Sequence, residues 1–235
     1  MCQRCRLNRL SGLVSRYVFA LLCGVLMSIT STRNLLVVLW LCVFSVGAFG
    51  AEVLPETEEI QPRTQIERFH TALLATARLD GGYDDRVALL GPELDRVFDL
   101  PRIARISAGS AWRKLDDPTK NEYLNLLRDV VLGTYVGRFD ADRGQTLEVV
   151  ETIEVKPGRD VVRAQITRPS GTKVALDYYL RNKRIFNVEA DGVSDLSIRR
   201  TDYSSIIKAE GFAGLLSHLK TQAMKSRDSF VASRQ

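Results

Sequence analysis

Cysteine is missing from most of this chain. The four that its 235 residues contain, Cys2, Cys5, Cys23 and Cys42, all lie within the first 50. Residues 51–235 therefore fold without a disulfide staple, a thiolate metal centre or a cysteine nucleophile. The Cys2-x-x-Cys5 pair has the spacing of half a zinc site, but there is no second half. Acidic side chains show the opposite absence. Residues 1–50 hold none of the 28 Asp and Glu residues, but five of the 33 basic ones (Arg4, Arg6, Arg9, Arg16 and Arg33). The remainder carries 28 of each sign, so the formal charge of +5 belongs to the first segment and is no argument for nucleic acid. Histidine is nearly absent too. His70 and His218 have no carboxylate at i±4 to complete a metal pair, and both read as surface or boundary residues. No G-x-S-x-G elbow, phosphate-binding loop or dinucleotide glycine pattern occurs. The expectation is no catalytic residue, no metal and no cofactor. Asp84-Asp85 and Asp116-Asp117 are adjacent carboxylates, which point apart on a helix. Both pairs sit where helices start, so they read as caps. The pairs Arg102/Arg105 and Arg199/Arg200 suit either a phosphate or a solvated face, and we take the second reading.

Long apolar runs are also lacking. A spanning helix needs about 20 apolar residues, and neither Tyr17–Ile29 nor Leu35–Phe49 reaches that with suitable flanks. The second run follows Arg33 and ends in small residues. Ala48 and Gly50 suit the −3 and −1 pockets of a signal peptidase, which places cleavage before Ala51. Residues 1–50 thus read as a leader. Met27 with Ser28–Asn34 would make a complete one alone, so Met27 is a candidate true start; a two-helix membrane anchor is the alternative. Leu39-Trp40-Leu41-Cys42 lacks the small residues of a lipoprotein cleavage box. The chain is expected in a periplasm.

Beyond the leader, residues 51–63 are acidic and aperiodic and read as a flexible lead-in. Residues 64–224 read as one domain and 225–235 as a polar, frayed tail. Ile66, Phe69, Leu73 and Ala77 share a helical face, stopped by Gly81-Gly82. Another helix spans Tyr83–Leu90, and Gly91-Pro92 is read as a break before Glu93–Phe98. Pro101 opens a short helix, and Asp116-Asp117-Pro118 starts a long one striped by Leu124, Leu127, Val131 and Tyr135. At Gln145 the period falls to 2. Leu147, Val149, Ile153 and Val155 share one parity; Val162, Ala164 and Ile166 follow after Pro157-Gly158. Leu176, Tyr178 and Leu180, then Phe186, Val188 and Ala190, complete four strands with short links. Helical patterning returns with Tyr203, Ile206 and Ile207, breaks at Gly211, and resumes with Phe212, Leu215, Leu216 and Leu219. The fold class is α+β: a helical layer packed on one face of a curved four-stranded antiparallel sheet. Such layers close into a solid core or leave an apolar cavity, and the stripes look the same in both cases.

Two stretches carry a family resemblance. Phe98–Leu115 (FDLPRIARISAGSAWRKL) resembles a segment of the MlaC family, and Asp117–Phe139 looks like the long helix that follows it there. Glu189–Leu216 (EADGVSDLSIRRTDYSSIIKAEGFAGLL) is similar to that family's signature, in which E-G-V-S leads into a helix interrupted by glycine; here Asp191 precedes Gly192. The likeness covers residues 64–222, and Tyr135–Asp140 (YVGRFD) also resembles the hopanoid-associated, HpnM-like branch. These are periplasmic phospholipid-binding proteins, also called toluene-tolerance or ABC transporter auxiliary components. The resemblance implies a monomeric lipid shuttle whose cargo is a phospholipid or hopanoid. Its implied partners are an inner-membrane ABC transporter with an MCE-domain subunit and an outer-membrane lipoprotein–porin complex.

The inward stripes then nominate the wall of a lipid cavity. The candidates are Phe98, Ile103 and Ile106; Leu124, Leu127, Val131 and Tyr135 on the long helix; Val162, Ala164, Ile166, Leu176, Tyr178 and Val188 on the sheet; and Val193, Ile198, Tyr203 and Ile206 beyond it. Trp112 reads as a packing anchor. Two rival readings remain: an isomerase- or dehydratase-type enzyme with Asp177 or Glu151 as its base, and a periplasmic adaptor with no cavity.

Overall fold

The computed structural model describes residues 61–233. The expected leader, with its candidate start at Met27, its cysteines and its alternative as a membrane anchor, and residues 51–60 of the expected lead-in, lie outside the described residues. Helix α1 (Pro62–Arg78) starts two residues before the expected Thr64, with Pro62 in the first turn, where its missing N–H leaves nothing unpaired. Its buried stripe is Ile66, Phe69, Leu73 and Ala77. Helix α2 (Tyr83–Val97) is capped by Asp85, whose carboxylate accepts the Gly82 N–H at 2.8 Å. It runs straight through Gly91-Pro92, where a break was expected. Gly91 serves close packing instead: a Cβ there would lie 2.9 Å from the Arg128 guanidinium of the neighbouring long helix. The contact energy gained along α2 outweighs the hydrogen bond that Pro92 forfeits.

Helix α3 (Leu100–Ala108) is capped by Asp99, which accepts from Arg102 N. A 3₁₀ segment (Gly109–Lys114) then sets the half-buried Trp112 ring 6.3 Å from Tyr123. Helix α4 (Asp117–Arg138) begins as its sequence indicates, with Asp116 accepting from Thr119 N at 2.9 Å.

The sheet runs β1 (Thr146–Lys156), β2 (Arg159–Thr167), β3 (Lys173–Arg181), β4 (Arg184–Ala190), β5 (Val193–Ser194), each antiparallel to its neighbour. The expected four strands thus gain a two-residue fifth, folded back by the Asp191-Gly192 turn. Both turn residues have positive φ, 49° and 79°, the geometry that an Asp-Gly hairpin supplies. Strand β1 does not keep one parity. A bulge between Val149 and Glu151 lets Val149 pair with Ala164 while Thr152, not Ile153, pairs with Val162. Beyond the bulge Val155 is exposed, so the expected stripe ends at Val149.

Helix α5 (Asp195–Ala232) includes residues 225–232 of the expected frayed tail. Phe230 is buried against Tyr83, their ring centroids 5.8 Å apart. Gly211 interrupts α5 with φ 72° and ψ −177°, a conformation open essentially to glycine alone. Helices α1, α3, α4 and α5 all contact one another or the sheet, and the core lies between them.

Candidate functional site

A cavity of about 200 Å³ lies between the sheet and the helices. Helix α4 contributes Val131, Thr134, Tyr135 and Arg138, spaced three and four apart and so on one face. The α2–α3 junction contributes Phe98 and Ile103. That junction is fixed to the sheet: Asp99 N donates to Ile185 O at 2.8 Å, and the Arg184 guanidinium donates to Phe98 O. Strands β2 to β4 supply Ile166, Leu176, Tyr178, Phe186, Asn187, Val188 and Ala190. Val193 of β5 and Asp195, Leu196, Ile198 and Arg199 of α5 complete the wall, with Leu73 of α1 and Phe139. Behind Phe98 and Tyr135 stands Phe69, whose ring centroid lies 5.4 and 5.3 Å from theirs. This edge-on aromatic cluster holds both wall residues in place.

Ten of the seventeen candidate residues therefore border the cavity: Phe98, Ile103, Val131, Tyr135, Ile166, Leu176, Tyr178, Val188, Val193 and Ile198. The other seven do not. Leu127 and Val162 are fully buried in the core, and Ala164 and Tyr203 nearly so. Ile106, Leu124 and Ile206 are half-buried and pack against that core. On α4 the cavity meets only the C-terminal half of the stripe; on β2 it reaches Ile166 while α1 covers the other end of the strand. Phe186 and Ala190 share the parity of Val188 and could have been named from it. Leu73 lies on the α1 stripe. For Thr134, Arg138, Asn187, Asp195 and Arg199, polar groups in an apolar wall, periodicity carries no signal.

The polar groups gather around Tyr135. Burial raises the Tyr135 hydroxyl above its usual range and Asp195 adds to this, while Arg138 and Arg199 pull the other way. Asn187 is occupied in shaping the β4–α5 turn: its Oδ1 accepts from Ser194 Oγ at 2.9 Å and from Leu196 N at 3.2 Å. Arg199 departs from its expected solvated face, with a side chain only 10% exposed and its Nη2 2.8 Å from Asp195; Arg200 is exposed as expected. His70, expected at the surface or its boundary, is buried with its Nε2 3.0 Å from the Tyr178 hydroxyl. Burial lowers its pKa to about 4, so the ring is neutral at pH 7. The rival bases stand elsewhere. Glu151 and Asp177 both approach Arg163 on the outer face of the sheet, and neither borders the cavity. Among the described residues no group of His, Cys, Asp and Glu could hold a metal ion, and no helix is long and apolar enough to cross a membrane.

This arrangement can hold hydrocarbon against its apolar walls and meet a polar group beside Tyr135. Residues 66–221 match the family model described as MlaC protein. Among solved structures the chain is similar to a phospholipid-binding protein from Ralstonia solanacearum determined in complex with a phospholipid. The two share 20% sequence identity at a TM-score of 0.63, over 71% of this chain and 99% of that one. A search among curated proteins finds no match to the chain.

Proposed function

We propose that this chain, which belongs to the MlaC family, is a periplasmic lipid carrier that shelters the acyl chains of a phospholipid between its sheet and its helices. The observation that carries this reading is the cavity itself, an apolar space placed where the two layers meet. Each methylene removed from water gains about 0.8 kcal/mol. A methylene-sized group takes roughly 30 Å³, about a water molecule's share of liquid volume. At about 200 Å³ the space takes on the order of seven such groups, a fraction of one tail. Sheltering two tails therefore requires the helical layer and the sheet to part, a motion that the carrier reading includes.

Burial of hydrocarbon on this scale makes release into water slow, so hand-off takes place against a partner offering an apolar path. We assign those roles to an inner-membrane ABC transporter with an MCE-domain subunit and to an outer-membrane lipoprotein–porin complex, with this chain, as a monomer, moving between them. The test is native mass spectrometry of gently extracted protein, in which a bound diacyl phospholipid is the expected result. A hopanoid would keep the carrier and change its cargo. A small polar metabolite would instead favour an enzyme, and bare protein an adaptor; either would overturn the proposal.

A further inference from the structure

Three hydrogen-bond donors at the cavity are left over once every other polar group there has been paired. Arg199 is the most telling. Its Nη1 donates to the Tyr203 hydroxyl at 3.1 Å and its Nη2 to Asp195 at 2.8 Å, but its buried Nε has no hydrogen-bond partner among the described residues. The side chain is nine-tenths buried, and it borders the cavity. A buried guanidinium N–H without an acceptor is a cost that folds seldom leave standing. The second donor is Arg138, exposed on the next turn of α4 after Thr134. It borders the same cavity and has no ion pair among the described residues. The third is the Tyr135 hydroxyl, on the cavity wall and without a hydrogen bond among the described residues. The other polar groups are occupied: Thr134 donates to Val130 O at 2.7 Å, and Asn187 accepts from Ser194 and Leu196.

Spare donors with no spare neutral acceptor call for an anion rich in oxygen. Among the described residues, the only carboxylate on the wall is Asp195, half-exposed and already shared with Arg199. Two guanidinium groups against one screened carboxylate leave a net positive charge beside an apolar space. We propose that Arg138, Arg199 and Tyr135 form a subsite for a phosphate group, taken as the head-group phosphate of the lipid whose tails occupy the cavity. Guanidinium groups suit this ligand, since their N–H groups match phosphate oxygens in pairs. The subsite rests on the carrier reading and adds to it a demand on the cargo's head group.

The experiment offers the intact protein two kinds of vesicle in a neutral phosphatidylcholine matrix, one doped with phosphatidylglycerol and one with the matching diacylglycerol, which lacks phosphate. Uptake is read by native mass spectrometry. The subsite predicts a preference for phosphatidylglycerol over diacylglycerol of roughly tenfold or more, the value of one or two charge-assisted hydrogen bonds. Arg138→Gln, an exposed position where folding is not at stake, should lower phosphatidylglycerol uptake more than diacylglycerol uptake and so remove most of that preference; Arg199→Met should do the same where it folds. Equal uptake of the two lipids by the unaltered chain, or an unchanged preference in Arg138→Gln, overturns the subsite but leaves the carrier intact. Uptake of no lipid at all, the phosphatidylcholine of the matrix included, overturns the carrier. A second arm adds inorganic phosphate alone and follows thermal unfolding. A stabilisation that Arg138→Gln abolishes identifies free phosphate as the ligand, whereas no effect beside a lipid preference identifies the head group. No effect in either arm rejects a phosphate site altogether.

Discussion

Replacing Val131 by Trp should block the cavity while sparing the fold, and Leu127→Trp, one turn earlier on α4, should do the reverse. Val131 borders the cavity, whereas Leu127 is fully buried among core residues. The larger ring adds on the order of seven heavy atoms, about what a space of about 200 Å³ can take. Seven methylenes at about 0.8 kcal/mol each amount to about 6 kcal/mol of transfer free energy, or about four powers of ten in Kd before ordering costs. Val131→Trp should therefore lose most of its lipid in native mass spectra after incubation with phospholipid vesicles, with a urea midpoint close to that of the parent. Leu127→Trp finds no space and should cost about 1–3 kcal/mol or more by overpacking. If Val131→Trp keeps its lipid while its stability falls as far as that of Leu127→Trp, the space is ordinary core and the reasoning fails.

Other expectations follow from the same packing. His70 is held neutral, with a folded pKa of about 4 against 6.5 for the free side chain. Its contribution is complete above the unfolded value and is lost as pH falls from 6.5 towards 4. Between pH 7 and 5 the parent should lose about 2 kcal/mol more than His70→Gln, measured by urea titration at each pH. Arg86, buried, donates to Thr76 O, Leu79 O and Phe139 O and so satisfies carbonyls at the ends of α1 and α4. Arg86→Met should strand them and cost about 3–5 kcal/mol in the same titration. Phe230→Ala, in the segment expected to be frayed, should cost about 3 kcal/mol, and a loss under 1 kcal/mol would show that this end is not docked. Gly211→Ala meets open space but a forbidden φ, so a cost of about 1–3 kcal/mol should come from the backbone alone.

Much of the architecture was legible in residue spacing, because local rules and the final fold agree. Asp116 caps α4 as its position before Asp117-Pro118 indicates, and the Asn182-Lys183 and Asp191-Gly192 links close hairpins with positive φ, as short links between alternating strands require. The misreadings occur where a tertiary contact overrides a local signal. Gly91-Pro92 marks a break by propensity, yet it lies against Arg128 and Leu132 of α4, and the helix is held through it. The β1 bulge shifts the partner of Val162 from Ile153 to Thr152, itself exposed, which alternation cannot reveal without the partner strand. Phe230 stands alone among polar neighbours, and a single aromatic residue makes no stripe that would signal its docking.

The site divides along a different line. Val162, Ala164 and Ile166 obey one parity, yet only Ile166 borders the cavity; Leu127 and Val131 obey one helical stripe, yet only Val131 does. Residue type and period are the same on both sides of each division. What differs is the distance to the opposing layer, and that distance is set by which helix lies across each part of the sheet: α1 packs on β1 and β2, while α5 meets β4. Core and cavity wall are thus one pattern read at two separations, and no window of sequence contains the separation. Polar residues break this degeneracy. An arginine on an apolar stripe, such as Arg199 between Ile198 and Tyr203, has no reason to face inward unless an acceptor or an opening meets it. A charged residue set into an inward-facing segment is therefore a better marker of where two layers part than the apolar residues around it, and here it marks the edge of the cavity.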